Sequence, residues 1–168
     1  MEFSATIEDF NTSLWGHHFK VPQPIAEMFI EGADRRVVCT LNGKKTIQCA
    51  LMGSSNGWFI NVNKAIRTQL RLEIGSKVDV HLEKDRSEYG LPMPEAFEEA
   101  LATDDEALVL FEALTAGKKR TLLHIVGATK NQESRIRKSL AILEHLKAQQ
   151  GKIDFKQLNE DLKNSRLL

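Results

Sequence analysis

The residues that could do chemistry in this chain fall into a few groups. Lys64, Arg67 and Arg71 stand together in "NKAIRTQLRLEIGSKVDVHL" (63–82), where a short amphipathic turn precedes a glycine and an alternating strand. Cations grouped on one turn can neutralise phosphates, so nucleic-acid contact is one reading and simple closure of a β-structure is the other. A second basic run spans 118–138, with Lys118, Lys119, Arg120, Lys130, Arg135, Arg137 and Lys138 against Glu133 alone. Its complement lies at 95–112, where Glu95, Glu98, Glu99, Asp104, Asp105, Glu106 and Glu112 meet no basic residue. Opposed helices carrying these charges would neutralise one another.

Helical projection separates the members of the basic run. Ile136, Leu140, Leu143, Ile142 and Leu146 share one arc, and Arg135 falls on it. A charge on a packing face needs a partner, so Arg135 is predicted to pair with Glu98, Glu99 or Glu112. The sharper alternative makes Arg135, with Lys130 and Lys138, an anion- or partner-binding site. Arg137 sits at i,i+4 from Glu133, and Lys138 is expected to point to solvent.

Other chemistry finds less support. His17 and His18 are adjacent, so on a strand they face opposite ways, while His81, His124 and His145 are dispersed. No metal or cofactor site is implied. Taking Asn42-Gly43 as a two-residue turn, Cys39 faces Thr46 and Cys49 faces Arg36, which puts the thiols off register and on opposite faces and argues against a disulfide. Cys39 reads as a small core residue. "GSSNG" (53–57) lacks a phosphate-loop lysine and reads as a turn. Trp15 and Trp58 read as packing residues at barrel ends. No catalytic residue emerges.

These groups are positioned by two regions of different period. To about Arg86 the pattern alternates, as in Phe3, Ala5, Ile7 and in Val78, Val80, Leu82. Arg35–Leu41 and Lys44–Met52 flank the hairpin signal, and helical turns are expected near Pro24–Ile30 and Lys64–Leu70. After Pro94 the period becomes helical. Two pieces run through Phe97, Leu101, Leu108, Phe111 and Leu114, with Thr103 or Asp104 capping the second. Helices follow through Leu122–Val126 and Asn131–Lys147, and a weaker one through Phe155, Leu158 and Leu162. The balance of 23 Lys+Arg against 23 Asp+Glu gives no global field toward nucleic acid or anionic lipid. The N-terminus shows no secretory signal, and no apolar run is long enough to span a membrane, so a soluble cytoplasmic protein is expected.

The β region also repeats. Val21, Ile25, Phe29, Val37, Cys39 and Leu41 fall on Val62, Ile66, Leu70, Val78, Val80 and Leu82, each displaced by 41 positions, as from Val21 to Val62. Two such halves would pack against each other. Val62 to Val80 resembles the swapped-hairpin element of AbrB- and MazE-type proteins through Arg67, Leu70, Leu72 and Gly75, with Ser76 where Asp is usual and Asn63 where Pro is usual. That resemblance implies a DNA-facing role for Lys64, Arg67 and Arg71. The pseudo-equivalent of Arg67, however, is Ala26, beside Glu27 and Glu31. Over residues 1–148, "VNKAIRTQLRLEIGSKVDVHLEKD", "PEAFEEALATDDEALVLFEAL" and "ESRIRK" follow the order of a bacterial two-part family. Its members join a β-barrel domain of unknown function to a helical YdeI/OmpD-associated, or bacteriocin-protection, domain. Ser134 replaces the usual Thr.

The sequence therefore predicts an α+β protein. An internally duplicated six-stranded β-barrel of the double-split, swapped-hairpin type should occupy 1–88 and a three- or four-helix domain 94–148, with a tail at 149–168. The expected role is a non-catalytic binding or interaction module with a protein partner or small anionic ligand. Bacteriocin protection or envelope stress is implied by the resemblance. A DNA-binding regulator using the barrel, and an enzyme with a site between barrel and helices, are the alternatives.

Overall fold

The computed structural model describes residues 1–10 and 16–165. The chain forms two compact units, Met1–Arg86 and Ser87–Leu168. No helix among the described residues is long and apolar enough to cross a membrane.

Unit one contains strands β1 (Glu2–Asp9), β2 (His17–Val21), β3 (Arg36–Leu41), β4 (Lys45–Ala50), β5 (Met52–Ser54), β6 (Gly57–Asn61) and β7 (Lys77–Lys84). Two short helices, α1 (Gln23–Glu27) and α2 (Lys64–Leu70), interrupt them. The sheet is antiparallel throughout, in the order β4-β3-β7-β1-β2-β6-β5. Its end strands β4 and β5 are separated in the chain by Leu51 alone, so the two ends of the sheet must meet there and the sheet curls round on itself. Leu51 is 1% exposed at this seam. The count is seven strands and not six, because the run predicted over Lys44–Met52 bends at Leu51. Its first part pairs with β3, and the residues from Met52 onward pair with β6.

Alternation fills the inside of the curl. Ile7, Phe19, Val21, Val37, Cys39, Leu41, Ile60, Val78, Val80 and Leu82 are all buried in one cluster. Val62 and Ile66 join them, and Leu70 packs against them. The pairing register follows the sequence offset. Displacing β2, α1 and β3 by 41 positions sets them on β6, α2 and β7. Displacing β1 by 44, as from Ile7 to Leu51, turns the pair Ile7↔Phe19 into the observed pairing of β5 with β6. The same displacements convert the β1–β7 register into the β3–β4 register.

The hairpin at Asn42-Gly43 corrects one expectation. Both residues take positive φ, 51° and 61°, and the Lys44 N–H donates to the Leu41 carbonyl, as a type I′ turn requires. Pairing nevertheless resumes at Leu41↔Lys45, leaving Lys44 as an extra residue. The register therefore moves by one. Cys39 lies opposite Ile47 and Cys49 opposite Val37, which places both thiols on the inner face. Asn42 is also claimed by β7, since its N–H donates to Asp79 O and its Oδ1 accepts from the Asp79 N–H.

Unit two is helical: α3 (Glu95–Ala102), α4 (Asp105–Glu112), α5 (Ala116–Gly127), α6 (Gln132–Ala148) and α7 (Phe155–Asn164). Asp104, Thr115, Asn131 and Asp154 cap the last four through side-chain oxygens, which explains where each begins. Among the described residues four helices, α3 to α6, lie in the span expected to hold three or four, and the tail adds a fifth, α7, which buries Leu158 and Leu162 in the core with Phe97, Phe111, Leu122 and Ile142. The buried stripe of α6 is rotated from the predicted arc. Ser139, Ile142, Leu143, His145 and Leu146 are buried, whereas Ile136 and Leu140 are 45% and 51% exposed. Arg135 heads this stripe and is half-buried.

Candidate functional site

The basic turn of unit one has an inward-facing member. Lys64 and Arg71 are exposed, while Arg67 is half-buried and its Nε is enclosed without a hydrogen-bond partner among the described residues. Its repeat counterpart Ala26 is fully buried, so Arg67 occupies a position that the other half uses for packing. Arg71 follows α2 in the left-handed region, at φ 54°. Its N–H donates to Arg67 O and Thr68 O, so Arg71 helps end the helix. Asn63 caps the same helix through the Ile66 N–H. The three cations thus do not form one outward row.

Other reactive side chains of this unit are engaged locally. The Cys39 thiol donates to Cys49 sulfur, which holds the Cys49 pKa down and pushes that of Cys39 up. Neither forms a disulfide. His18 is buried, stacked on Phe10 at 3.6 Å between ring centroids and edge-on to Phe59. Its Nε2 lies 3.8 Å from Glu8, which is paired with Lys20 at 2.9 Å. Trp58 packs against the core with the Arg35 guanidinium 5.2 Å above its ring; Trp15 lies outside the described residues. Among the described residues, no three His, Cys, Asp or Glu side chains are placed to share a metal ion.

The helical unit offers a different arrangement. None of Glu98, Glu99 and Glu112 pairs with Arg135, which corrects the predicted ion pair. Glu112 is taken by Lys119 Nζ at 2.7 Å and by the Tyr89 hydroxyl at 2.9 Å. Those bonds, the Lys119 one first, hold its carboxyl below the usual glutamate range. Arg135 instead donates through Nε to the carbonyl of Thr129, just past the end of α5. Lys138, expected in solvent, is half-buried and donates through Nζ to Thr129 Oγ1 at 2.6 Å. Cations at the carbonyl end of a helix are favoured by its dipole, so both residues secure the α5–α6 turn. Arg137 pairs with Glu133 at 2.8 Å as the spacing predicts, and Lys130 is exposed.

Arg135 also lines a cavity of about 470 Å³. Its Nε is spent on Thr129, and its two terminal nitrogens have no partner among the described residues. Leu91, Met93 and Leu123 supply apolar walls, and His124 and Glu95 supply the other charged or titratable groups. Sequence reasoning singled out Arg135 but missed these walls. The available signal was Leu91 and Met93, two apolar residues alternating with Pro92 and Pro94 in what read as a linker.

Two family models match. Residues 3–82 match the "Domain of unknown function (DUF1905)", and residues 91–149 match "Bacteriocin-protection, YdeI or OmpD-Associated". Neither the curated proteins nor the solved structures yield a significant match. In order, the two matched segments give a two-part architecture, an N-terminal DUF1905 domain followed by a YdeI/OmpD-associated domain.

Proposed function

We propose that this protein is a non-catalytic binding module: an internally duplicated small barrel of the swapped-hairpin type joined to a helical domain that takes up an anionic group at Arg135. The observation that carries this reading is the state of the Arg135 guanidinium. It is pinned through Nε to a backbone carbonyl, while its terminal nitrogens stand without a protein acceptor among the described residues at a cavity of about 470 Å³. An arginine present only to neutralise a neighbouring carboxylate would have that carboxylate beside it. Lys138, drawn to the same turn, and exposed Lys130 add positive charge nearby. The cavity's described lining contains no serine, threonine or cysteine, which favours binding over nucleophilic chemistry. The duplication rests on the matched offsets of strand pairing and on burial of both copies. The bacteriocin-protection description of the matched helical model suggests the setting in which such binding would be used.

The test is a titration of the full chain with acetate and inorganic phosphate, followed by NMR at the Arg135 Nε–H. A saturable shift is expected in the native chain, and calorimetry should show the binding lost in Arg135→Gln. If neither anion moves that signal, the assignment is wrong.

A further inference from the structure

We infer that the Arg135 cavity selects a monocarboxylate carried on an apolar body, such as a branched short-chain acid or a peptide ending in an apolar residue; this rests on the anion-binding reading above. The charge balance of the cavity argues for a single negative charge. Arg135 is the one guanidinium among the described lining residues, and Glu95 lines the same space. The Glu95 carboxylate offsets part of the positive charge that Arg135 and the nearby lysines supply, so a dianion such as a phosphate ester is held less well than a single carboxylate.

The geometry of the arginine argues for a planar acceptor. With Nε committed to Thr129 O, the guanidinium plane is fixed, and its two terminal amino groups form an end-on fork. Such a fork suits the two oxygens of one carboxylate.

The walls argue for the apolar body. A volume of about 470 Å³ lies in the range of sites for small organic ligands and exceeds what a carboxylate needs. Leu91, Met93, Leu123 and two proline rings line the remainder. Gly127 leaves its part of the wall open, since an added Cβ would touch nothing nearer than Pro94 Cγ at 3.7 Å. Water in a space walled this way gives up few hydrogen bonds when a branched alkyl group replaces it.

The experiment compares 4-methylpentanoate, its neutral amide, acetate and inorganic phosphate by calorimetry and by the Arg135 Nε–H signal of the full chain. 4-Methylpentanoate is expected to bind at least tenfold tighter than acetate or phosphate, and the amide is expected not to bind. Arg135→Gln should abolish binding. Because that change could also loosen the α5–α6 turn, Gly127→Leu provides a second variant that fills the cavity while leaving Arg135 in place. It should remove the advantage of 4-methylpentanoate and leave the acetate response unchanged. N-acetyl-Gly-Leu with a free carboxylate separates the two sources. Tighter binding than the free acid identifies a peptide terminus, and weaker binding identifies a small acid. If acetate or phosphate equals 4-methylpentanoate, the inference fails while the anion reading stands. If no probe shifts the arginine signal, both fail.

Discussion

Leu158→Ala tests whether the last helix belongs to the helical core or merely lies against it. Leu158 is 1% exposed and packs in the same cluster as Phe97, Phe111 and Ile142, although α7 lies beyond residues 91–149 of the family match. Truncating a fully buried leucine costs about 2–5 kcal/mol, the transfer term plus the cavity left behind. The upper half of that range is expected here. The helix α6 is also held by α3, α4 and α5, and the buried His145 anchors α7 from within, so the site has little freedom to collapse. The ring of His145 donates from Nδ1 to Asp161 at 2.8 Å and accepts the Asp154 N–H at Nε2, which fixes the position of α7 at two points. A domain of this size has a total stability of roughly 4–12 kcal/mol, so the loss is a large fraction of it. With about 4–8 °C per kcal/mol, the helical transition should fall by roughly 14–40 °C. Circular dichroism at 222 nm follows the helices, while tryptophan fluorescence follows residues 1–86, which contain Trp15 and Trp58. A fall in the 222 nm midpoint below about 4 °C would refute the placement of α7 in the core.

Leu51→Ala should cost unit one about 2–5 kcal/mol, because this buried residue joins the two ends of the sheet; urea unfolding by tryptophan fluorescence measures it, and a loss under about 1 kcal/mol would contradict the seam. Tyr89 is the sole tyrosine, so absorbance at 295 nm reports it alone. Burial first, and then its hydrogen bond to Glu112, push its pKa well above the ordinary tyrosine value. Folded protein should therefore show no phenolate midpoint near pH 10. The raised pKa also means that this stabilising contribution is complete below pH 10 and declines as pH climbs toward the folded value. Arg71→Gly should raise stability by about 0.5–1 kcal/mol, since φ of 54° strains a side-chain-bearing residue and not glycine; a lower midpoint in thermal unfolding would count against it.

The sequence was most informative where a residue's role is local. Asp104, one of the two caps expected for its helix, and the Arg137–Glu133 pair stand where spacing placed them, because a cap and an i,i+4 contact depend on neighbours in the chain. The 41-position offset was legible for the same reason, as it compares short segments with one another. Register was not. The type I′ turn at Asn42-Gly43 formed, yet the added Lys44 turned Cys49 inward, and β7 holds Asn42 through contacts 37 positions away. The face of α6 was equally indeterminate. Ile136 and Leu140 make one helical stripe, and Arg135, Ser139, Ile142 and Leu146 make another; which one is buried depends on where α3, α5 and α7 pack. The Arg135 cavity was half visible: the misplaced charge could be seen, but not the walls that Leu91, Met93 and Leu123 bring from distant segments.

The matched registers of unit one mean that each half acts as a reference for the other. An inner position in one half has a counterpart in the other that has met the same packing problem with its own side chain. Cys39 and Val80 are such a pair, both buried, so valine at 39 is a substitution the fold should accept. Ala26 and Arg67 are the pair that disagree. There the chain keeps a small buried residue in one copy and places a long cation in the other. A comparison that ordinarily requires two proteins can thus be made within one, position by position, and its mismatches mark where the two halves meet different surroundings.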